Sequence, residues 1–87
     1  MDIQNAQLIN CGNTFHSPFF NRLCEALEEG KTVQVYIDCI GHTLNNMTQD
    51  VYREKLKEKY GEKLVIEKND GAYSYSYYYV LAPEKDV

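Results

Sequence analysis

The sequence predicts one α/β domain over residues 1–87, a two-layer sandwich in the order β-α-β-α-β-β. Both helices are expected on one side of a four-stranded mixed sheet that ends in a β-hairpin. Three observations carry this expectation. Apolar and polar residues alternate over 32–40 and again over 72–81, the period of a half-buried strand. Apolar residues recur at helical spacing after the first strand-like run and again before the last two. Finally, "NDG" at 69–71 separates the last two runs, and Asp-Gly tolerates the positive φ that a tight hairpin turn demands.

The elements follow in order. "AQLINC" (6–11) has the length and apolar character of a short strand. Ser17 then offers a hydroxyl N-cap, and Pro18 fills the first helical position. Phe20, Leu23, Cys24 and Leu27 share a helical face, and Gly30 with Lys31 closes that helix. In the second strand Val33, Val35, Ile37 and Cys39 alternate with Thr32, Gln34, Tyr36 and Asp38. A right-handed crossover makes the second strand parallel to the first and its neighbour.

Thr48 is the expected N-cap of the second helix, with Met47 and Tyr52 as its hydrophobic staple. Tyr52, Leu56 and Tyr60 form the buried stripe, the charges of "REKLKEK" face solvent, and Gly61 stops the helix. "KLVIEK" (63–68) and 72–81 then pair. With Asp70-Gly71 as a two-residue turn, Ile66 falls opposite Tyr75 and Leu64 opposite Tyr77. Tyr73, Tyr75, Tyr77 and Tyr79 share the apolar face, more phenols than a small core covers, so a homodimer is expected to shield some of them. A doubly wound sheet, with helices on both faces, is the alternative packing.

Composition narrows the class of function. A net charge of −4 gives no basic face for long DNA or RNA, yet leaves a small phosphorylated ligand open, because backbone dipoles act locally. The longest apolar run is far short of a membrane span, so a cytoplasmic protein without membrane contact is expected. Three cysteines, Cys11, Cys24 and Cys39, with no C-x-x-C pair, fit neither a disulfide scaffold nor a zinc knuckle. No metal or other cofactor is expected.

The place to look for a site is the carboxyl edge of the parallel strands, where loops from successive β-α units emerge together. The first loop brings Asn10, Gly12, Asn13, Thr14, His16 and Ser17; the second brings Gly41, His42, Thr43, Asn45 and Asn46. Both histidines of the chain fall there, with two glycines and two helix starts whose N–H groups favour anions. Each also has a structural explanation: turn glycines, loop asparagines, a capping serine and exposed histidines. No G-x-S-x-G elbow, Walker loop or carboxylate pair is present. What the residue types allow is acid-base work by histidine beside an anion pocket, with His42 and His16 as candidate catalytic groups. Metal-independent phosphodiester cleavage fits: a ribose 2′-hydroxyl attacks phosphorus while a histidine protonates the departing oxygen.

Two short motifs extend this. "LIN" (Leu8–Asn10) ends the first strand, and "IGH" (Ile40–His42) precedes a helix and a hairpin. In this the chain resembles the small viral and CRISPR-associated ring nucleases that cut cyclic oligoadenylates, over roughly 39–80 and the first strand. The resemblance implies a homodimer with a small cyclic nucleotide across its two-fold axis, and His42 as general acid. Asn10, Gly12 and Thr14 would then shape the phosphate pocket. Two other readings stand beside it: an acidic interaction protein that inhibits a nucleic-acid-binding enzyme, and a nucleotide sponge without chemistry.

Overall fold

Gln7–Asn10 (β1) and Val33–Tyr36 (β2) run side by side in parallel, with Gln7 opposite Val33 and Asn10 opposite Tyr36. The computed structural model describes residues 2–38, 42–69 and 76–82, with His42 by its backbone alone. Between the two strands lies helix α1, Ser17–Glu28; after them come α2, His42–Tyr60, and the strands β3, Leu64–Lys68, and β4, Tyr77–Leu81. Single 3₁₀ turns precede β1, at Ile3–Asn5, and β3, at Gly61–Lys63. The sheet has four strands in the order β1-β2-β4-β3. β4 is antiparallel to both of its neighbours, so the sheet is mixed.

One hydrophobic core explains the two layers. Leu23, Cys24, Ala26 and Leu27 of α1 and Tyr52 and Leu56 of α2 pack on Ile9, Val33, Val35 and Tyr79 of the sheet. Every second strand residue points into this core, as the pleat requires. The buried stripes of both described helices lie on this one face of the sheet, and Leu8, Tyr36 and Val65 are exposed on the other. The doubly wound alternative is therefore not the one adopted. No helix among the described residues is long and apolar enough to cross a membrane.

α1 begins and ends close to where its sequence says. Its first residue is Ser17, and His16, with extended backbone, takes the cap position without a side-chain cap bond. The expected N-cap is thus displaced by one residue, and Pro18 still falls in the first turn. At the other end Gly30 N–H donates to Leu27 O (3.0 Å) and Lys31 N–H to Ala26 O (3.1 Å). This paired closure needs a left-handed residue, which Gly30 supplies with φ +86°.

Two expectations are corrected. α2 does not start after Thr48. It starts at His42, which makes Leu44 to Met47 helical and puts Thr48 inside the helix. The longer helix adds a tertiary hydrogen bond, Asn45 Nδ2 to Ile37 O, which offsets the local capping preference of the threonine. The staple fails with it, since Met47 is exposed while Tyr52 is buried. The hairpin register is the second correction: Ile66 lies opposite Tyr79 and Leu64 opposite Leu81, four residues from the tight-turn pairing. An even shift keeps the same side chains on the core face, and it places Tyr79 between Val33 and Ile66. Asn69 N–H donates to Ser76 O (3.0 Å) and its side-chain amide to Ser76 Oγ (3.0 Å), which closes the ladder. The Asp70-Gly71 turn, Tyr73 and Tyr75 lie outside the described residues, as do Cys39 and Gly41.

Tyr77 and Tyr79 keep the core side of β4. The Tyr79 hydroxyl is buried and makes no hydrogen bond of acceptable geometry. Burial holds its proton far above the usual phenol range, while the nearby Arg53 guanidinium opposes that rise. Arg53 also pairs with Asp50 and lies over the Tyr77 ring, 4.8 Å from its centroid.

Candidate functional site at the carboxyl edge of the parallel strands

The parallel pairing carries on beyond the strands. Cys11 N–H donates to Tyr36 O (2.9 Å), and Asp38 N–H donates to Gly12 O (2.7 Å). The loop after β1 and residues 37–38 after β2 therefore leave the sheet at one edge, side by side. Within the loop, Asn10 Oδ1 accepts from Gly12 N–H (2.8 Å), so this side chain is already used in shaping the turn. Gly12 has φ +71°, and a Cβ there would stand 3.2 Å from the Phe19 ring. Gly12→Val is accordingly expected to cost about 1–3 kcal/mol through backbone strain alone. Urea denaturation of the variant measures it, and an unchanged midpoint would contradict the account.

Tyr52 of α2 fixes the rest of the loop. Its hydroxyl accepts from His16 N–H (3.1 Å) and lies 3.4 Å from both Cys11 O and Thr14 O, to which it donates. Its ring packs against Phe15, with centroids 4.9 Å apart. Asn13 and Thr14 remain exposed. His16 is exposed too, its imidazole edge-on to Phe19 at 5.6 Å, and the Arg22 guanidinium lies over the same ring.

The second set of residues sits at another station. Tyr52 is ten residues beyond His42, or about 15 Å of helix. The start of α1 is bound to Tyr52, so it lies against the middle of α2, away from the α2 N-terminus. The two helix starts expected to converge are separated in this way, and only the strand ends bring the loops together. Thr43 and Asn46 are exposed in the first turns of α2, whereas Asn45 turns inward. Gly41 and the His42 side chain lie outside the described part.

Inward of this edge, β2 and β4 part company. Among the described residues β4 pairs with Val33 and Gln34 of β2, so Val35 O and, just beyond the strand, Ile37 O take no hydrogen bond from β4. α2 supplies donors in its place: Gln49 Nε2 to Val35 O (2.8 Å) and Asn45 Nδ2 to Ile37 O (3.2 Å). The two amides are four residues apart and so lie on one helical face. Between α2 and the diverging strands is a cleft of about 370 Å³ with Leu8, Tyr36 and Ile37 on its apolar side. Gln34, Asn45, Gln49 and Ser76 contribute its polar lining. Gln34 Nε2 donates to Ser76 Oγ (2.9 Å). The oxygens Asn45 Oδ1 and Gln49 Oε1 are buried and have no hydrogen-bond partner.

Of these lining groups, only Asn45 stands among the residues the sequence singles out. Gln49 had a readable signal, an amide four residues after Asn45, but the Thr48 capping pattern cuts the helix between them. Leu8 stands in the sequence only as the first residue of "LIN", and Gln34, Tyr36 and Ser76 carry no signal, because their convergence depends on strand order.

Cys11, buried beneath the loop, has its thiol pKa raised from 9.0 to about 11 by desolvation, against the lowering effects of Tyr52 and Arg22. Between pH 9 and 11 the unfolded chain gives up a proton that the native chain retains, so stability falls as pH rises through that window. Tyr52 and Tyr79, shifted upward in the same sense, extend the loss to higher pH. The expected result is a urea midpoint that declines above pH 9, with the earliest part of the decline absent in Cys11→Ala. A midpoint flat to pH 11 would contradict it.

Among the described residues no group of three His, Cys, Asp or Glu side chains could hold a metal ion. The sequence matches no protein-family model and no curated protein.

Proposed function

We propose that the protein binds a cyclic oligonucleotide second messenger at the carboxyl edge of β1 and β2, and cleaves it without a metal, as viral and CRISPR-associated ring nucleases do. One observation carries the reading. The Asp38–Gly12 bond continues the parallel pairing and holds the glycine-containing first loop beside the segment that leads to His42. Backbone N–H groups of that loop and of the first turn of α2 suit a phosphodiester. In the proposed reaction the ribose 2′-oxygen bonds to phosphorus, the bond to the 5′-oxygen breaks, and His42 protonates that oxygen. The 2′-hydroxyl proton passes to solvent, and a 2′,3′-cyclic phosphate remains. The reading gives this step to His42 in preference to His16, whose backbone is bound to Tyr52, ten residues along α2 from His42.

The protein would act as a cytoplasmic homodimer. Two free buried cysteines, Cys11 and Cys24, accord with a reducing compartment. Leu44, Met47 and Val51, exposed on α2 at intervals of three and four residues, are the natural contact for a second copy. The same stripe favours a second reading, an interaction protein that has no chemistry of its own.

Incubation with a panel of cyclic oligonucleotides in EDTA separates these readings. Linear products with a 2′,3′-cyclic phosphate are the expected result. Binding without turnover would leave a sponge, and no binding of any cyclic nucleotide would leave the interaction protein.

A further inference from the structure

Ser17 opens α1 as an exposed residue, and Pro18 follows it directly. Of the two prolines in the chain only Pro18 comes after a serine or threonine; the other comes after Ala82. Capping does not account for this serine. The cap position belongs to His16, which makes no side-chain cap bond, and the first turn of α1 carries no acidic residue. The positive end of the helix dipole is left without a negative side chain beside it.

A groove with two lysines runs past this serine. The bond between His16 N–H and the Tyr52 hydroxyl sets the start of α1 against the middle of α2. Between the helices lies a groove of about 410 Å³ lined by Phe15, Ser17, Phe20, Lys55, Glu58 and Lys59. Ser17 and Phe20, three residues apart, share a face of α1, and Lys55 and Lys59, four apart, share a face of α2. The lining holds one carboxylate, Glu58, against two ammonium groups, although the chain as a whole carries −4. Among the described residues neither lysine forms an ion pair. Lys55 Nζ stands 4.9 Å from the centroid of the Phe15 ring, and Lys59 Nζ 5.5 Å from that of Tyr60. Contacts of this kind at a surface are weak, and a doubly charged oxyanion displaces them.

We propose that Ser17 is phosphorylated by a serine kinase of the class that selects proline after the acceptor, and that this groove receives the phosphate. Ser17 Oγ attacks the γ-phosphorus of ATP, and the Oγ–P bond forms as the bond from that phosphorus to its bridging oxygen breaks. The hydroxyl proton passes to the base of the kinase, and ADP leaves with the bonding pair. The product carries a charge of about −1.5 to −2 and three strong acceptor oxygens. These meet Lys55, Lys59 and the first turn of α1 in charge-assisted hydrogen bonds. The modification ties α1 to α2 beside Tyr52, and it does so whatever the carboxyl edge of the sheet binds.

Two experiments on the 87-residue chain test this. Incubation with a proline-directed kinase and ATP, read by mass spectrometry, should add a single phosphate, on Ser17, and none to Ser17→Ala. A wild-type chain left unmodified, or modified elsewhere, would overturn the assignment. In the second experiment the chain with phosphate on Ser17, prepared by chemical ligation, is melted beside the unmodified chain. The phosphate should raise the melting temperature by about 4 °C or more. Combining Lys55→Gln with Lys59→Gln should remove at least half of that gain, each phosphorylated form being compared with its own unmodified form. Lys57→Gln, outside the groove, should leave the gain whole. An unchanged or lowered melting temperature, or a gain indifferent to the two lysines, would overturn the role given to the groove.

Discussion

Tyr52→Ala is expected to leave the protein largely unfolded at room temperature, and Tyr52→Phe to remain folded at a cost of about 1–3 kcal/mol. Tyr52 is fully buried, and it joins two tasks that other residues divide. Its ring fills the space between Phe15 and the core, and truncating an aromatic of this kind costs about 3–5 kcal/mol. Its hydroxyl accepts from the His16 N–H and donates toward the Cys11 and Thr14 carbonyls, of which Cys11 O lies in the buried part of the loop. Small proteins have roughly 0.05–0.15 kcal/mol per residue of net stability, or about 4–13 kcal/mol for 87 residues. The alanine variant removes most of that margin. The phenylalanine variant keeps the packing and loses only the bonds, so the difference between the two separates the contributions. Urea denaturation followed by circular dichroism measures both. A Tyr52→Phe midpoint equal to that of the wild type would mean that the loop is held by something else.

The second large effect concerns chemistry. Replacing His42 by alanine should slow ring cleavage about 10²- to 10⁴-fold, the usual contribution of a positioned acid, with ligand affinity little changed. Single-turnover assays at saturating protein give the rate, and calorimetry gives the affinity. Lys57→Ala and Glu58→Ala, exposed further along α2, serve as controls and should keep the wild-type rate to within a few-fold. His16→Ala should behave like them. A His42 variant that cleaves as fast as the wild type would remove the acid from the proposal, and a slow His16 variant would move the acid to the first loop.

The parts of the fold legible in the sequence are those decided by neighbours in the chain. Ser17-Pro18 and Gly30 mark α1 because capping and left-handed backbone are local matters. The alternation of Val33, Val35 and Ile37 marks the buried face of β2 for the same reason, and the crossover rule then makes β1 parallel to it. Both errors arose where distant partners outvoted a good local signal. Asp70-Gly71 favours a tight turn, yet Tyr79 gains more from a buried place between Val33 and Ile66. Thr48 is a fair cap, yet the helix continues back to His42, where Asn45 and Gln49 reach carbonyls that β4 leaves uncovered. The candidate edge was legible because parallel strands deliver their loops together. The cleft was not, because strand order and the true start of α2 both had to be known first.

The order of strands in the sheet has a further consequence for how the molecule comes into being. β4 is made after β3, but it occupies the gap between β3 and β2, and no earlier strand joins those two. Until residues 77–81 have left the ribosome, no strand bridges β2 and β3, and the core of the growing chain lacks Tyr79. Folding of this domain during translation is therefore a late event, in which one short tyrosine-rich segment closes the sheet from the middle.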